Sequence, residues 1–152
     1  MEENKVNLEV REITIEEAFE VHTRVLEFNE MSNIDEFINR YTGKKHVIIG
    51  AFLEDKLIGY IIAYDKHEDG ERIYIWMAGV DNNYRRLGAL KKMVEYINTW
   101  AKENAYTILT IKTRNNRREM INFLSRNDFN FITVEQRDDV RENRIELEKF
   151  VV

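Results

Sequence analysis

The chain of 152 residues contains no cysteine and no proline, and only six glycines. Without cysteine there is no disulfide, no thiolate metal ligand and no cysteine nucleophile. Without proline, breaks between elements must be read from Gly, Asn, Asp and clusters of charge. The three histidines, His22, His46 and His67, are scattered without metal-ligand spacing, so no metal site is expected. No apolar run approaches the ~20 residues that a bilayer span needs. The charged stretch from Met1 to Asn7 has no apolar centre of the kind a signal peptide carries. The expectation is a cytoplasmic protein with no membrane partner. Cations are in deficit as well: 23 Lys and Arg face 28 Asp and Glu, a net charge of −5. Duplex-binding proteins present a basic face, so nucleic acid is a poor first guess, whereas a cationic partner is easier to accommodate.

What is present suits one globular domain spanning residues 1–152. Hydrophobic residues make up 43% and charged residues 34%, enough to fill one core and too much to leave a long disordered tail. There is no repeat, low-complexity segment or linker. Alternation over residues 6–13 predicts a strand. Thr14 and Glu17 then form a capping pair, and Ile15, Phe19, His22 and Leu26 predict a helix to about Asn29. Asn33 and Glu36 repeat the cap before a short helix that Gly43 stops. Period two returns over residues 46–53, 57–64 and 73–80, three strands joined by turns at 54–56 and 67–71, hence an antiparallel meander. The longest helix runs to about Asn104, with Leu87, Leu90, Val94, Ile97 and Ala101 in one stripe. A strand at 106–113, a helix at 116–127 with Met120, Phe123 and Leu124 inward, and a closing strand pair at 129–135 and 144–147 complete the order β-α-α-β-β-β-α-β-α-β-β. The crossover from residue 80 through the long helix to residue 106 makes its two strands parallel neighbours. The fold class is α/β, a mixed sheet with helices on its faces.

The most informative stretch is the junction Val80-Asp-Asn-Asn-Tyr-Arg-Arg-Leu-Gly-Ala-Leu90. A strand stops, a polar loop turns, and a helix starts near Gly88. The first amides of a helix lack internal partners and carry the positive end of the dipole. Gly88 allows close approach to the backbone, and Arg85 and Arg86 add fixed positive charge. Together these make a pyrophosphate seat without a Walker lysine.

At this junction the sequence resembles the GNAT acetyltransferase superfamily, whose signature is Arg/Gln-x-x-Gly-x-Gly/Ala. Arg85, Arg86, Leu87, Gly88, Ala89 and Leu90 occupy that window, with Leu90 where Gly or Ala is usual. The resemblance covers nearly the whole chain in element order and implies a GNAT-like acyl-CoA N-acyltransferase fold. It implies acetyl-CoA as cosubstrate, its pyrophosphate on the loop amides and its pantetheine beside the backbone of Ala78, Gly79 and Val80. Asn115, after the next strand, is the matching candidate to hydrogen-bond the pantetheine. The implied function is transfer of an acetyl group to a primary amine of a small molecule or protein. A homodimer is one implied partner state, with the strands at 129–150 as its contact.

Two catalytic positions of the family are substituted. An acidic base commonly stands four residues before the valine, and Trp76 is there. A tyrosine acid is common on the later helix, and Leu124 is there. Tyr74 is the candidate catalytic residue, by a water relay or as part of an acceptor groove wall. Tyr60, Ile62, Tyr64, Tyr74 and Trp76 equally read as aromatic sheet packing. His22 reads as a core residue, and His46 and His67 as surface residues. Glu27, Glu30, Asp35 and Glu36 read as helix caps and a solvated face, or as a holder for a cationic amine. Arg114 to Arg118 reads as a helix start or as a seat for a cofactor phosphate. The rival functions are a non-catalytic acyl-CoA-binding module and a nucleic-acid-binding domain using the two arginine patches.

Overall fold

The structure is a computed structural model that describes residues 7–25, 28 and 33–152. Seven strands form one sheet in the order β1-β2-β3-β4-β5-β7-β6. The strands are β1 (Leu8–Glu12), β2 (His46–Leu53), β3 (Lys56–Tyr64), β4 (Arg72–Val80), β5 (Ile108–Arg114), β6 (Asn130–Glu135) and β7 (Arg144–Phe150). The helices are α1 (Ile15–His22), α2 (Ile34–Tyr41), α3 (Ala89–Glu103) and α4 (Arg118–Arg126). The expected element order and the parallel β4–β5 pair are both present.

Local chemistry sets most boundaries. The Thr14 hydroxyl accepts from the Glu17 amide at 3.1 Å and the Glu17 carboxylate accepts from the Thr14 amide at 3.0 Å, a complete capping box. Asn33 caps α2 by accepting from the Glu36 amide at 3.0 Å. The β2–β3 hairpin turns on Glu54 and Asp55, both at positive φ (47° and 72°), as a two-residue loop matched to strand twist requires.

Several boundaries move. Helix α1 ends at His22 and not near Asn29, which lies outside the described residues, as do Val6 and Leu26. Beyond His22 the chain tightens, with Arg24 N–H donating to the Val21 carbonyl and Val25 N–H to that of His22. The Arg24 side chain is drawn across to Asp81 at 3.1 Å and to the Leu57 carbonyl at 3.0 Å. Leu87 is not on α3: Arg86 (φ 67°) and Gly88 (φ 87°) break the backbone on either side of it. Its side chain still packs on the core, which is why it fits the stripe. β7 extends to Phe150, and α4 is shorter than 116–127.

Two cores lie on opposite faces of the sheet. One joins α3 and Leu124 of α4 to Ile58, Ile61, Ile73, Ile75, Leu109, Ile111 and Leu147. The other joins Ala18 and Val21 of α1 and Phe37 and Tyr41 of α2 to Tyr60, Ile62, Tyr64 and Tyr74. Each fully buried large apolar side chain contributes about 1.5–3 kcal/mol of transfer free energy.

Candidate active site

β4 and β5 pair for only part of their length. Their register runs from Arg72↔Ile108 to Ile75↔Ile111 and stops. β4 nevertheless continues to Val80 and β5 to Arg114. Past Ile75 the two strands part, leaving one edge of β4 without a strand partner in the middle of a sheet. The cause sits in β4. Its register against β3 shifts so that Met77 opposes Ile62 and Ile75 opposes Ala63, leaving Trp76 as an extra residue. Trp76 and Met77 both pack toward the α1–α2 face, which a flat strand would not allow. Such a bulge bends its strand and sharpens the twist. Its trace in the sequence is the broken alternation at Trp76-Met77, a signal that period-two counting passes over.

The split opens toward the loop after β4. Asp81, buried, holds that loop: its carboxylate accepts from the Asn83 amide at 3.0 Å and pairs with Arg24, and its own amide donates to the Ile58 carbonyl at 2.8 Å. A 3-10 turn at Asn82–Tyr84 leads to Arg85 in extended conformation, then to Arg86 and Gly88 in left-handed conformation, and α3 begins. Backbones that alternate in this way turn successive N–H groups into one concavity, which suits an anion. Gly88 is the N-cap of α3 and supplies no side-chain cap. A Cβ placed on it would meet nothing within 4 Å, so the space in front of its backbone is open.

The structure places Arg85, Arg86, Leu87, Gly88, Ala89 and Leu90 in this turn and the start of α3, and Ala78, Gly79 and Val80 on the stretch of β4 that has no β5 partner. Arg85 donates to the Val80 carbonyl at 3.3 Å, and Arg85 and Arg86 approach Glu119, at the start of α4, at 3.8 and 3.9 Å. Leu90 packs against the core, leaving the helix start to its backbone. Gly79 is closely covered: a Cβ there would lie 2.8 Å from the Phe28 ring and 3.1 Å from Tyr60. The Arg117 guanidinium stands 5.5 Å from the Phe28 ring centre, so Phe28 and Arg117 meet across the split.

Asn115 takes a different part. Its side-chain amide donates to the Val140 carbonyl at 3.1 Å and its backbone amide to Asn143 at 2.9 Å, tying the β5–α4 junction to the loop before β7. Arg114 pairs with Glu142 at 2.9 Å, so part of the expected basic patch is neutralised within the protein. Of the acidic cluster, Glu27 and Glu30 lie outside the described residues, and Asp35 and Glu36 are exposed in the first turn of α2.

Tyr74 lies on β4 opposite Thr110, one pair before the split. It is buried, and burial pushes its phenol up to about 12, against the opposing effect of Arg144. At neutral pH the hydroxyl is therefore protonated and can donate a hydrogen bond. Tyr60 and Tyr64 are buried in the same aromatic core, and Trp76 is half-buried 5.1 Å from Phe37, ring centre to ring centre. His22 is buried and forms a 2.7 Å hydrogen bond between Nδ1 and the Tyr60 hydroxyl. Burial lowers its pKa, so the ring is held neutral. His46 is exposed, and its Nδ1 bonds the Lys44 carbonyl at 2.9 Å. Sequence reasoning passed over Lys66 and Lys112. Lys66 Nζ stands 4.8 Å from the centre of the Tyr74 ring.

The model of the acetyltransferase (GNAT) family matches residues 8–129. Among curated protein sequences none matches the chain. Solved structures share the fold across almost the whole chain at low identity. Ard1 from Thermoplasma volcanium superposes with a TM-score of 0.80 at 16% identity, covering 97% of this chain and 99% of that one. The ribosomal-protein-S18-alanine N-acetyltransferase from Escherichia coli gives 0.79 at 15%, covering 95% and 94%. An aminoglycoside 6'-N-acetyltransferase complexed with coenzyme A gives 0.76 at 10%, covering 95% and 97%. No helix among the described residues is long and apolar enough to cross a membrane. The chain belongs to the GNAT acetyltransferase family, and it is an acyltransferase whose acyl donor is acetyl-CoA.

Proposed function

We propose that the chain is a single-domain N-acetyltransferase that moves an acetyl group to a primary amine. The observation that carries this reading is the β4–β5 split, which opens toward the left-handed Gly88 turn at the start of α3. Two of the structural neighbours bear N-acetyltransferase names, one acting on a protein amine and one on a small molecule. Both acceptor types therefore suit the fold.

Acetyl-CoA supplies an acetyl group on a thiolate leaving group; transfer forms an amide C–N bond, breaks the C–S bond and moves one proton from nitrogen to sulfur. The chain's own residues have three tasks. The amides from Arg86 to Leu90, with Arg85 and Arg86, hold the pyrophosphate, displacing the weak contacts to Glu119. The open edge of β4 at Ala78, Gly79 and Val80 offers backbone N–H and C=O groups to the pantetheine, and a fixed N–H there polarises the thioester carbonyl. Tyr74, protonated at neutral pH, lies on the acceptor side of the split and relays, through water, the proton that the nitrogen loses and the sulfur takes up. Asn115, locked to the loop before β7, positions that junction and reaches the pantetheine only by giving up its bond to Val140.

The edge strand β6 is exposed throughout and carries Phe131, Ile132 and Val134 at 54%, 49% and 59% exposure. An apolar edge of this kind favours pairing with a second copy, and a homodimer through β6 is part of the proposal.

The first test is thermal unfolding with and without acetyl-CoA. At a hundred times its dissociation constant the ligand should stabilise by about 2.7 kcal/mol, raising the midpoint by roughly 5–10 °C. In Gly88→Val the shift should vanish. The new side chain stands in the open space over the Gly88 backbone, and its left-handed conformation costs about 1–2 kcal/mol of stability besides. An undiminished shift in that variant would exclude the concavity as the phosphate seat.

A further inference from the structure

On the α1–α2 face of the sheet, β5 presents Thr110, Lys112 and Arg114, and β7 presents Arg144, Glu146 and Glu148. Their sequence neighbours Leu109, Ile111, Ile145 and Leu147 fill the core on the opposite face, so alternation fixes this direction. Lys112 is the first β5 residue past the last pair with β4, so it stands at the mouth of the split. Across the strands Lys112 stands opposite Glu146, and Arg144, two residues before Glu146 on β7, stands opposite Arg114. From the other side, Lys66 lies over Tyr74 and the Arg40 guanidinium lies 5.0 Å from the centre of the Trp76 ring.

These cations crowd one another. Burial lowers the pKa of Lys66, and Lys112, Arg40 and Arg144 lower it further. Among the described residues no ion pair joins Lys66, Lys112 or Arg144 to a carboxylate. Glu146 is the acid that faces the group, and Glu148 is engaged by Arg72 at 3.4 Å. His67, held neutral chiefly by burial, and Tyr64 complete the titratable surroundings. The Thr110 hydroxyl, on the same face and opposite Tyr74, is fully buried with no hydrogen-bond partner. A chain with a net charge of −5 thus gathers four cations, Lys66, Lys112, Arg40 and Arg144, against one facing acid, Glu146, beside the split. Like charges so placed raise the energy of the free protein, and an anion relieves it.

We propose that the acceptor is a primary amine that also carries a carboxylate or phosphate, and that this anionic group docks between Lys66, Lys112 and Arg144 beside Tyr74. The proposal rests on the amine-acceptor reading above and names its substrate class. The same charges address the missing base. An ammonium held among cations loses its proton more readily than in water, so a neutral nucleophile forms without a carboxylate at Trp76. The anionic group offsets the repulsion that would otherwise keep the ammonium out.

The experiment uses the full-length protein and two matched pairs of probes: L-alanine with L-alaninamide, and O-phosphoethanolamine with ethanolamine. Affinity for the CoA-loaded protein is read by calorimetry, and turnover with acetyl-CoA by thiol release. The anionic member of at least one pair should bind and turn over at least about tenfold better than its neutral partner, and which pair it is separates carboxylate from phosphate. Lys112→Gln and Arg144→Gln should each cut that ratio at least about fivefold through KM, with an unchanged thermal midpoint. Lys112→Glu should reverse the preference. Equal or weaker binding of the anionic member in both pairs, or a ratio unmoved by these variants, overturns the proposal. Anion preference in calorimetry without turnover on any amine would uphold the subsite and remove the amine-acceptor reading. Turnover on ethanolamine and alaninamide without anion preference would do the reverse.

Discussion

The two halves of the sheet are built differently. β3 is buried from Ile58 to Tyr64 without a break, because α3 packs on one side and α1 and α2 on the other. β7 alternates, with Ile145 and Leu147 buried and Arg144, Glu146 and Glu148 half-exposed, and β6 is exposed along its whole length. The helices α1 and α2 cover β2 to β4 and stop there. One half is therefore a support, where apolar residues on both faces are compulsory. The other half has a face free for polar chemistry, and the split between β4 and β5 is the boundary. Stability belongs to the first half and choice of acceptor to the second.

The sharpest way to break this comparison is to open a hole in the covered half. Ile61, fully buried in β3, packs in the α3-side core. Ile61→Ala should cost about 2–5 kcal/mol and lower the thermal midpoint by roughly 5–15 °C. Thr133→Ala on β6 should stay within about 0.5 kcal/mol. Comparable losses at the two positions, measured by denaturant titration, would show that β6 is covered in solution, and the β6 homodimer is the form in which that would occur.

A smaller effect on stability and a larger one on chemistry is expected at the boundary itself. Tyr74→Phe removes one hydroxyl and keeps the ring packing against Tyr64. Turnover should fall about tenfold to a hundredfold while acetyl-CoA affinity stays within about twofold. If kcat holds and only acceptor KM rises, Tyr74 is a wall of the groove and another group relays the proton.

How legible these halves are in the sequence differs for a physical reason. The capping pairs Thr14–Glu17 and Asn33–Glu36, the Glu54-Asp55 hairpin and the Gly88 turn are local devices, and each one stands where its residues predict. The end of α1 is not local: Arg24 is pulled from the helix by Asp81, a residue of the β4–α3 loop, and no window around Arg24 contains that partner. The split is likewise a matter of how far two strands stay paired, and β4 and β5 are separated by all of α3. Its one trace is Trp76-Met77. The polar face of β5 and β7 is legible in Thr110, Lys112 and Arg114 alternating with apolar residues, and again in Arg144, Glu146 and Glu148. That pattern says only that one face is not core. The meeting of Lys112 with Lys66 and Arg144 needs the fold.

The smallest expected effect concerns the covered half under acid. His22 is an imidazole buried beside the α1–α2 core, with Nδ1 bonded to Tyr60 and Nε2 buried without a partner. Burial lowers its folded pKa below the ordinary 6.5. The unfolded chain then takes up a proton more readily than the folded one. Stability from this group is complete above 6.5 and is lost as the pH falls through 6.5 toward the folded value. Denaturant midpoints taken at about pH 7.5 and about pH 5.5 should therefore fall more steeply in the wild type than in His22→Gln, which keeps a partner for Tyr60 and cannot titrate. Lys112 lies outside that core, so Lys112→Gln should leave the slope as it is. Parallel slopes in wild type and His22→Gln would place the acid sensitivity elsewhere, and the covered half would then owe none of its pH response to its buried imidazole.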